Sequence, residues 1–208
     1  MTTQANEPGN REWWLEKSHY LRSWDKRAKV AAPFCGNGFV CDIGCGMMGL
    51  NRYLPLQARY LPADLKPWTP EVEVCDLNAK LLPEKYLGLA DTVTLLGVVE
   101  RIVDLDWLFA SLAKRAERLV VTYHCVDKAP HRLDWINAYT TDDFTAKLTA
   151  AGYAIEHSEM FRDQTIFVGR SAVFTEAQKR ARDAMQRSSQ IAPSGMTKLR
   201  RFAARIIG

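Results

Sequence analysis

Apolar and polar positions change period several times along this chain, and each change marks an element. From Arg11 to about Ala32 there is no proline or glycine, and Trp14, Leu21, Trp24 and Ala28 recur at helical spacing on one face. Pro33 and Gly36-Asn37-Gly38 end that predicted helix. Phe39 to Ile43 then runs almost wholly apolar into glycines, the pattern of a buried strand. Gly49 to Leu54 suits a short helix closed by Pro55. Further strands are predicted over Ala58–Ala63, Val72–Cys75 and Asp91–Leu96, running into Asp64, Asp76 and Gly97. Leu105 to Arg118 reads as a helix with Leu105, Leu108, Phe109 and Leu112 on one face, and Leu119 to Tyr123 as a fifth strand. Thr141 to Ala151 reads as a helix opened by Thr140 or Thr141, with Asp142 and Asp143 favourable in its first turn and Gly152 at its end.

Tyr153–Met160 and Thr165–Arg170 are two more strands, separated only by Phe161 to Gln164. That gap cannot hold a crossover helix, so the pair is expected as an antiparallel hairpin. Alternation first and a hairpin last predict an α/β fold. It is a doubly wound, mostly parallel seven-stranded sheet with a C-terminal antiparallel hairpin and helices on both faces. Thr175 to Arg187 reads as a charged helix, Ser188 to Gly195 as a linker, and Thr197 to Ile207 as a small basic amphipathic helix. The expected division is an N-terminal arm and helix over 1–35, a core over 36–172 and a basic helical extension over 173–208.

Composition removes several classes. The chain has 208 residues, 47% apolar and 25% charged, which excludes a disordered chain, a collagen and a small disulfide scaffold. No run of 18 apolar residues reads as a membrane span, and the polar stretch Met1 to Asn10 has no leader-like apolar region. The five cysteines (Cys35, Cys41, Cys45, Cys75, Cys125) are odd in number and read as reduced thiols of a cytoplasmic protein. The net charge of +4 hides an asymmetry, because from Glu176 onward eight basic residues face only Glu176 and Asp183. The rest of the chain is mildly acidic, so a nucleic-acid partner is not expected. The basic tail is a candidate for peripheral contact with an acidic partner or a membrane surface.

The strongest chemical signal follows the first strand, in Val40-Cys41-Asp42-Ile43-Gly44-Cys45-Gly46-Met47-Met48-Gly49. Glycines there let a ligand approach the backbone. Gly44-x-Gly46-x-x-Gly49 matches the dinucleotide fingerprint, and Asp64 follows Gly44 by 20 residues, so a nicotinamide-dependent oxidoreductase is one reading. Asp42 at the loop's mouth suits a pyrophosphate poorly. Asp42, Asp64 and Asp76 together, each near a strand's carboxyl end, favour a cationic ligand rich in hydroxyls, such as S-adenosylmethionine.

The segment VCDIGCGMMG resembles motif I of the class I (Rossmann-like) S-adenosylmethionine-dependent methyltransferases, and the resemblance runs from about Gly38 to Arg170. YLPAD is similar to the second motif, EVCDLN to the third and LLGVVERIVD to the strand-four motif; AGYAIEHSEMF and TIFVG resemble the closing hairpin. The resemblance implies S-adenosyl-L-methionine as cofactor. Asp42, Gly44 and Gly46 would shape its methionine end, Asp64 would hold the ribose hydroxyls and Asp76 the adenine amino group. Cys45, Leu65, Leu77 and Gly97 complete the implied cofactor set. Met48 stands where the family commonly has a third glycine, so the side chains of Met47 and Met48 either narrow the loop or pack under it.

Glu100 and His124 follow the fourth and fifth strands and are the candidates for acid–base work, against plainer roles as an ion-pair partner and a turn histidine. His131 and Trp135 lie in a loop where this family often places substrate contacts, and Tyr20, with Trp13, Trp14 and His19, could form a lid. No metal site is expected, because Cys41 and Cys45 have no second pair or suitable histidines. The strand-four segment lacks the Asn/Asp-Pro-Pro-aromatic motif of nucleic-acid amino methyltransferases and resembles small-molecule and glycan enzymes. The expected reaction is methyl transfer by direct displacement to a small-molecule or glycan hydroxyl. The competing reading is a non-catalytic methyltransferase-like partner domain.

Overall fold

A computed structural model of the protein describes residues 22–130, 135–191 and 193. Helix α1 (Arg22–Ala31) leads through a 3-10 turn at Ala32–Cys35 into strand β1 (Phe39–Ile43). The strands β2 (Arg59–Asp64), β3 (Glu73–Val74), β4 (Thr92–Leu96) and β5 (Arg118–Tyr123) follow, then the hairpin of β6 (Tyr153–Phe161) and β7 (Gln164–Ser171). Helices α2 (Glu84–Leu87), α3 (Leu105–Ala113), α4 (Thr141–Ala150) and α5 (Glu176–Ser188) complete the described elements.

The sheet order is β3-β2-β1-β4-β5-β7-β6. β1 through β5 pair in parallel, and β7 inserts antiparallel between β5 and β6, so six strands share one direction and β7 alone opposes them. The hairpin turn is Arg162-Asp163, tighter than the four-residue gap expected, and Arg162 takes a left-handed φ of 59°. Four other expectations change. The Gly49–Leu54 helix is only a 3-10 turn at Leu50–Arg52, β3 is two residues long, α3 ends at Ala113, and α2 was not anticipated. Each is short enough for tertiary contacts to override local propensity.

Alternation along β1 sends Cys41 and Ile43 to one face and Val40 and Asp42 to the other. The first face joins the larger core, with Leu61, Leu95 and Val121 under Leu108, Phe109 and Leu112 of α3 and Phe144 and Leu148 of α4. The second packs Val40, Tyr60, Leu96 and Ile166 against Ala28 and Ala31 of α1 and Leu50 and Leu54 of the following loop. Tyr123 stacks on Phe144 with centroids 4.1 Å apart, and its hydroxyl accepts from the Tyr139 N–H at 2.9 Å, fixing both ends of the segment that follows β5.

Helix α5 closes the opposite end of the sheet. A capping box of Thr175 and Gln178 opens it. Arg182, only 6% exposed, faces Asp91 at 3.2 Å and Glu117 at 3.7 Å, and Gln186 reaches the Leu89 carbonyl and Asp91. No helix of the described residues is long and apolar enough to cross a membrane. The small basic helix expected over Thr197–Ile207 lies outside the described residues, as do the aromatic residues expected to form a lid.

Candidate cofactor and acceptor site

The site gathers at the carboxyl ends of β1, β2, β4 and β5. Asp42 is 3% exposed. It accepts hydrogen bonds of 2.6 Å from the Tyr60 hydroxyl of β2 and the Thr94 hydroxyl of β4. Burial pushes its carboxyl up to about 6; the two hydroxyls oppose the rise and the charge of Asp64 adds to it. Asp42 therefore stands beneath the glycine loop, tied to both neighbouring strands.

The loop takes its shape from backbone that only small residues reach cheaply. Gly44 has φ 77° and Gly46 φ 49°. The Gly44 and Cys45 N–H groups donate to the Ala63 carbonyl at 2.8 and 3.1 Å, and the Gly46 N–H donates to Asp64 Oδ2 at 2.7 Å. A Cβ on Gly44 would collide with Val98, whereas one on Gly46 would enter open space. Met48 also lies in the left-handed region at φ 55°, and its side chain is buried beneath the loop. This resolves the two expectations for Met48: the conformation a glycine would take is kept, and the side chain packs below. Cys45 is buried as well, and burial drives its thiol far above the ordinary range, which disfavours the thiolate.

Asp64 and Leu65 are half-buried at the rim. Burial raises the Asp64 carboxyl, while the backbone N–H groups of Gly46, Lys66 and Leu65 oppose the rise. Asp76 accepts from the Ala79 N–H at 3.1 Å, and its backbone exchanges two hydrogen bonds with Leu81, so it also organises the turn after β3. Leu77 is buried in the larger core. Gly97, at φ 74°, follows β4 directly under the Arg27 guanidinium, where a Cβ would come within 2.3 Å of Arg27 Nη1.

Glu100 lies in the turn after β4, 1% exposed. Gln164 Nε2 donates to its Oε1 at 2.8 Å, and Oε2 has no partner among the described residues. His124, 2% exposed, directs Nε2 at the carbonyls of Ala129 (3.1 Å) and Pro130 (2.8 Å). Two carbonyl partners require a proton on Nε2, so the neutral ring carries a bare Nδ1, which has no described partner. Trp135 packs on the His124 ring at 4.3 Å. Tyr20 and His131 lie outside the described residues. Sequence reading missed Arg27 and Gln164: α1 and the start of β7 carry no motif, and only the fold brings them together. Among the described residues no cluster of histidine, cysteine or acids could hold a metal ion.

The donor set fits S-adenosylmethionine on its chemistry. Acids under and beside an open glycine suit a sulfonium, an ammonium and a ribose diol, and the antiparallel β7 departs from the dinucleotide fold. No family model matches the chain, and no curated protein matches its sequence. Solved structures do match. Human N-acetylserotonin methyltransferase, in complex with S-adenosylmethionine, aligns at 14% identity and TM-score 0.58, covering 78% of this chain and 56% of that one. CalO1, a methyltransferase in calicheamicin biosynthesis solved with S-adenosylhomocysteine, aligns at 15% identity and TM-score 0.55, covering 72% and 54%. RosA of Streptomyces davawensis, an N,N-8-amino-8-demethyl-D-riboflavin dimethyltransferase, aligns at 16% and 0.55, covering 73% and 54%. The chain spans little more than half the length of these proteins. Its fold is that of the class I S-adenosylmethionine-dependent methyltransferases.

Proposed function

We propose that this protein is an S-adenosylmethionine-dependent methyltransferase acting on a small-molecule or glycan hydroxyl. The observation that carries the reading is the loop at Gly46, which is open to a ligand on one side and joined to the Asp64 carboxylate by its own N–H. In this reading Asp64 and Leu65 hold the ribose, Gly46 lets the methionine end approach the backbone, Gly44 and Gly97 make room for Val98 and Arg27 beside it, and Asp76 meets the adenine. Asp42 works from below, fixing β1 against β2 and β4 under the loop. When bound, the cofactor supplies an electrophilic methyl group on a good leaving group, so the protein's share is alignment and removal of the acceptor's proton. Glu100 and His124 each offer an unpartnered acceptor atom for that proton. The fold does not choose the acceptor: RosA, by its name, dimethylates an amine.

The test is calorimetric titration of the protein with S-adenosylmethionine, S-adenosylhomocysteine and NAD, beside Asp64→Ala. Adenosyl ligands bind the wild-type chain and weaken at least tenfold in the variant. Binding of NAD alone, or of none of the three, overturns the reading.

A further inference from the structure

Three side chains from distant parts of the chain meet, with Arg27 packed over Gly97. Arg27 comes from α1, Glu100 from the turn after β4, and Gln164 from the first position of β7. Arg27 Nη1 donates to Gln164 Oε1 at 2.9 Å, and Gln164 Nε2 donates to Glu100 Oε1 at 2.8 Å. A guanidinium has only donors, so the Gln164 amide must turn its oxygen toward Arg27. That orientation places its NH2 group on the carboxylate. One Glu100 oxygen is thereby held, while the other, Oε2, is buried without a described partner.

A buried carboxylate oxygen left unsatisfied is costly in a folded protein. The relay that holds its twin fixes the orientation of the carboxylate. We propose that Arg27 and Gln164 are positioning residues that present Glu100 Oε2 to the methyl acceptor, selecting acceptors that donate a hydrogen bond, such as a hydroxyl, over those that cannot. This rests on the methyltransferase reading. In the step, Oε2 takes the hydroxyl proton and the acceptor oxygen's electron pair forms the new bond to the methyl carbon. The pair of the broken carbon–sulfur bond stays on sulfur. An ether or a deprotonated acid has nothing to offer Oε2.

The charged and polar groups around Glu100 make the relay measurable without turnover. Burial raises its carboxyl above the ordinary range; its own backbone N–H, the Arg27 and Arg101 charges and the Gln164 amide oppose the rise, and Tyr123 of β5 feels its charge.

The full-length protein is labelled with 13C-glutamate, and the Glu100 carboxyl signal is identified by its loss in Glu100→Gln. In Gln164→Leu the titration midpoint rises by about one pH unit, as expected when a hydrogen bond to the charged form is lost. Arg27→Met raises it as well, Arg27→Lys restores most of the wild-type value, and the double variant Arg27→Met/Gln164→Leu gains less than the sum of the two. A midpoint unmoved in Gln164→Leu overturns the relay.

Presentation to the acceptor is read by ligand-detected NMR on protein loaded with S-adenosylhomocysteine, using phenol against anisole and benzyl alcohol against benzyl methyl ether. The alcohols are preferred in the wild type, and the preference disappears in Glu100→Gln. Equal signals, or none, within both pairs overturn the selection. Failure of wild-type protein to bind S-adenosylhomocysteine overturns the cofactor reading separately, since the titration needs no cofactor.

Discussion

Replacing Asp42 by asparagine is expected to stabilise the protein above neutral pH. Asp42 is almost fully buried, and its carboxyl sits at about 6 where an ordinary aspartate has 3.8. A carboxyl raised by folding favours the fold while it is protonated. Its contribution is therefore complete below pH 3.8 and is lost as pH rises through about 6. At about 1.4 kcal/mol per pH unit the full penalty of ionising Asp42 is about 3 kcal/mol, of which about 2 kcal/mol falls between about pH 4.5 and about pH 8. Asparagine keeps the shape, and its amide can still accept from one of the Tyr60 and Thr94 hydroxyls and donate to the other. Its cost in hydrogen bonding is about 1 kcal/mol and does not vary with pH. Urea unfolding at the two pH values checks this. Asp42→Asn is about as stable as wild type at the acid end and about 2 kcal/mol more stable at the alkaline end. Burial also raises Asp64, Glu73 and Glu100, which bend the wild-type curve the same way, so the informative quantity is the variant-minus-wild-type difference. A difference that is the same at both pH values would refute the claim that the fold penalises charge at this position.

Other outcomes follow from the same geometry. Gly46→Ala adds a Cβ to open space at a positive φ, so it costs about 1–2 kcal/mol in thermal or chemical unfolding. Because the methyl group enters the proposed ligand space, S-adenosylhomocysteine binding by calorimetry falls at least tenfold; undiminished affinity would remove Gly46 from the site. Arg182→Met takes the cation from Asp91, while Glu117 keeps Arg170 at 2.6 Å; since both acids are 30% exposed the loss is about 1 kcal/mol, below that of a fully buried pair. Hydrogen exchange in α5 should accelerate in that variant. Thr140→Ala removes the cap of α4 and its reciprocal bond with Asp143, lowering stability by about 1 kcal/mol in urea melts.

Much of the fold was legible because local chemistry and tertiary demand agree there. The apolar run at Phe39–Ile43, the glycines after it, the Thr140 cap and the short gap before β7 each impose a backbone outcome on any structure containing them. Asp64 at the end of β2 was legible for the same reason, whereas Asp42, one residue inside the end of β1, is buried between two hydroxyls instead of standing at the loop's mouth. Met48 marks the limit of this reading. Its left-handed φ belongs to the loop, and no property of methionine announces it.

The sequence by itself determined the alternating architecture, the closing hairpin and the glycine loop with Asp42 and Asp64. These depend on period, turn chemistry and spacing, all of them local. Only the tertiary structure decided that Asp42 lies under the loop between two hydroxyls. It alone brought Arg27, Glu100 and Gln164 together across as many as 137 positions and bared Nδ1 of His124 by aiming Nε2 at two carbonyls. Those arrangements depend on which strands become neighbours, and insertion of β7 beside β5 sets that register over distances that no sequence period spans.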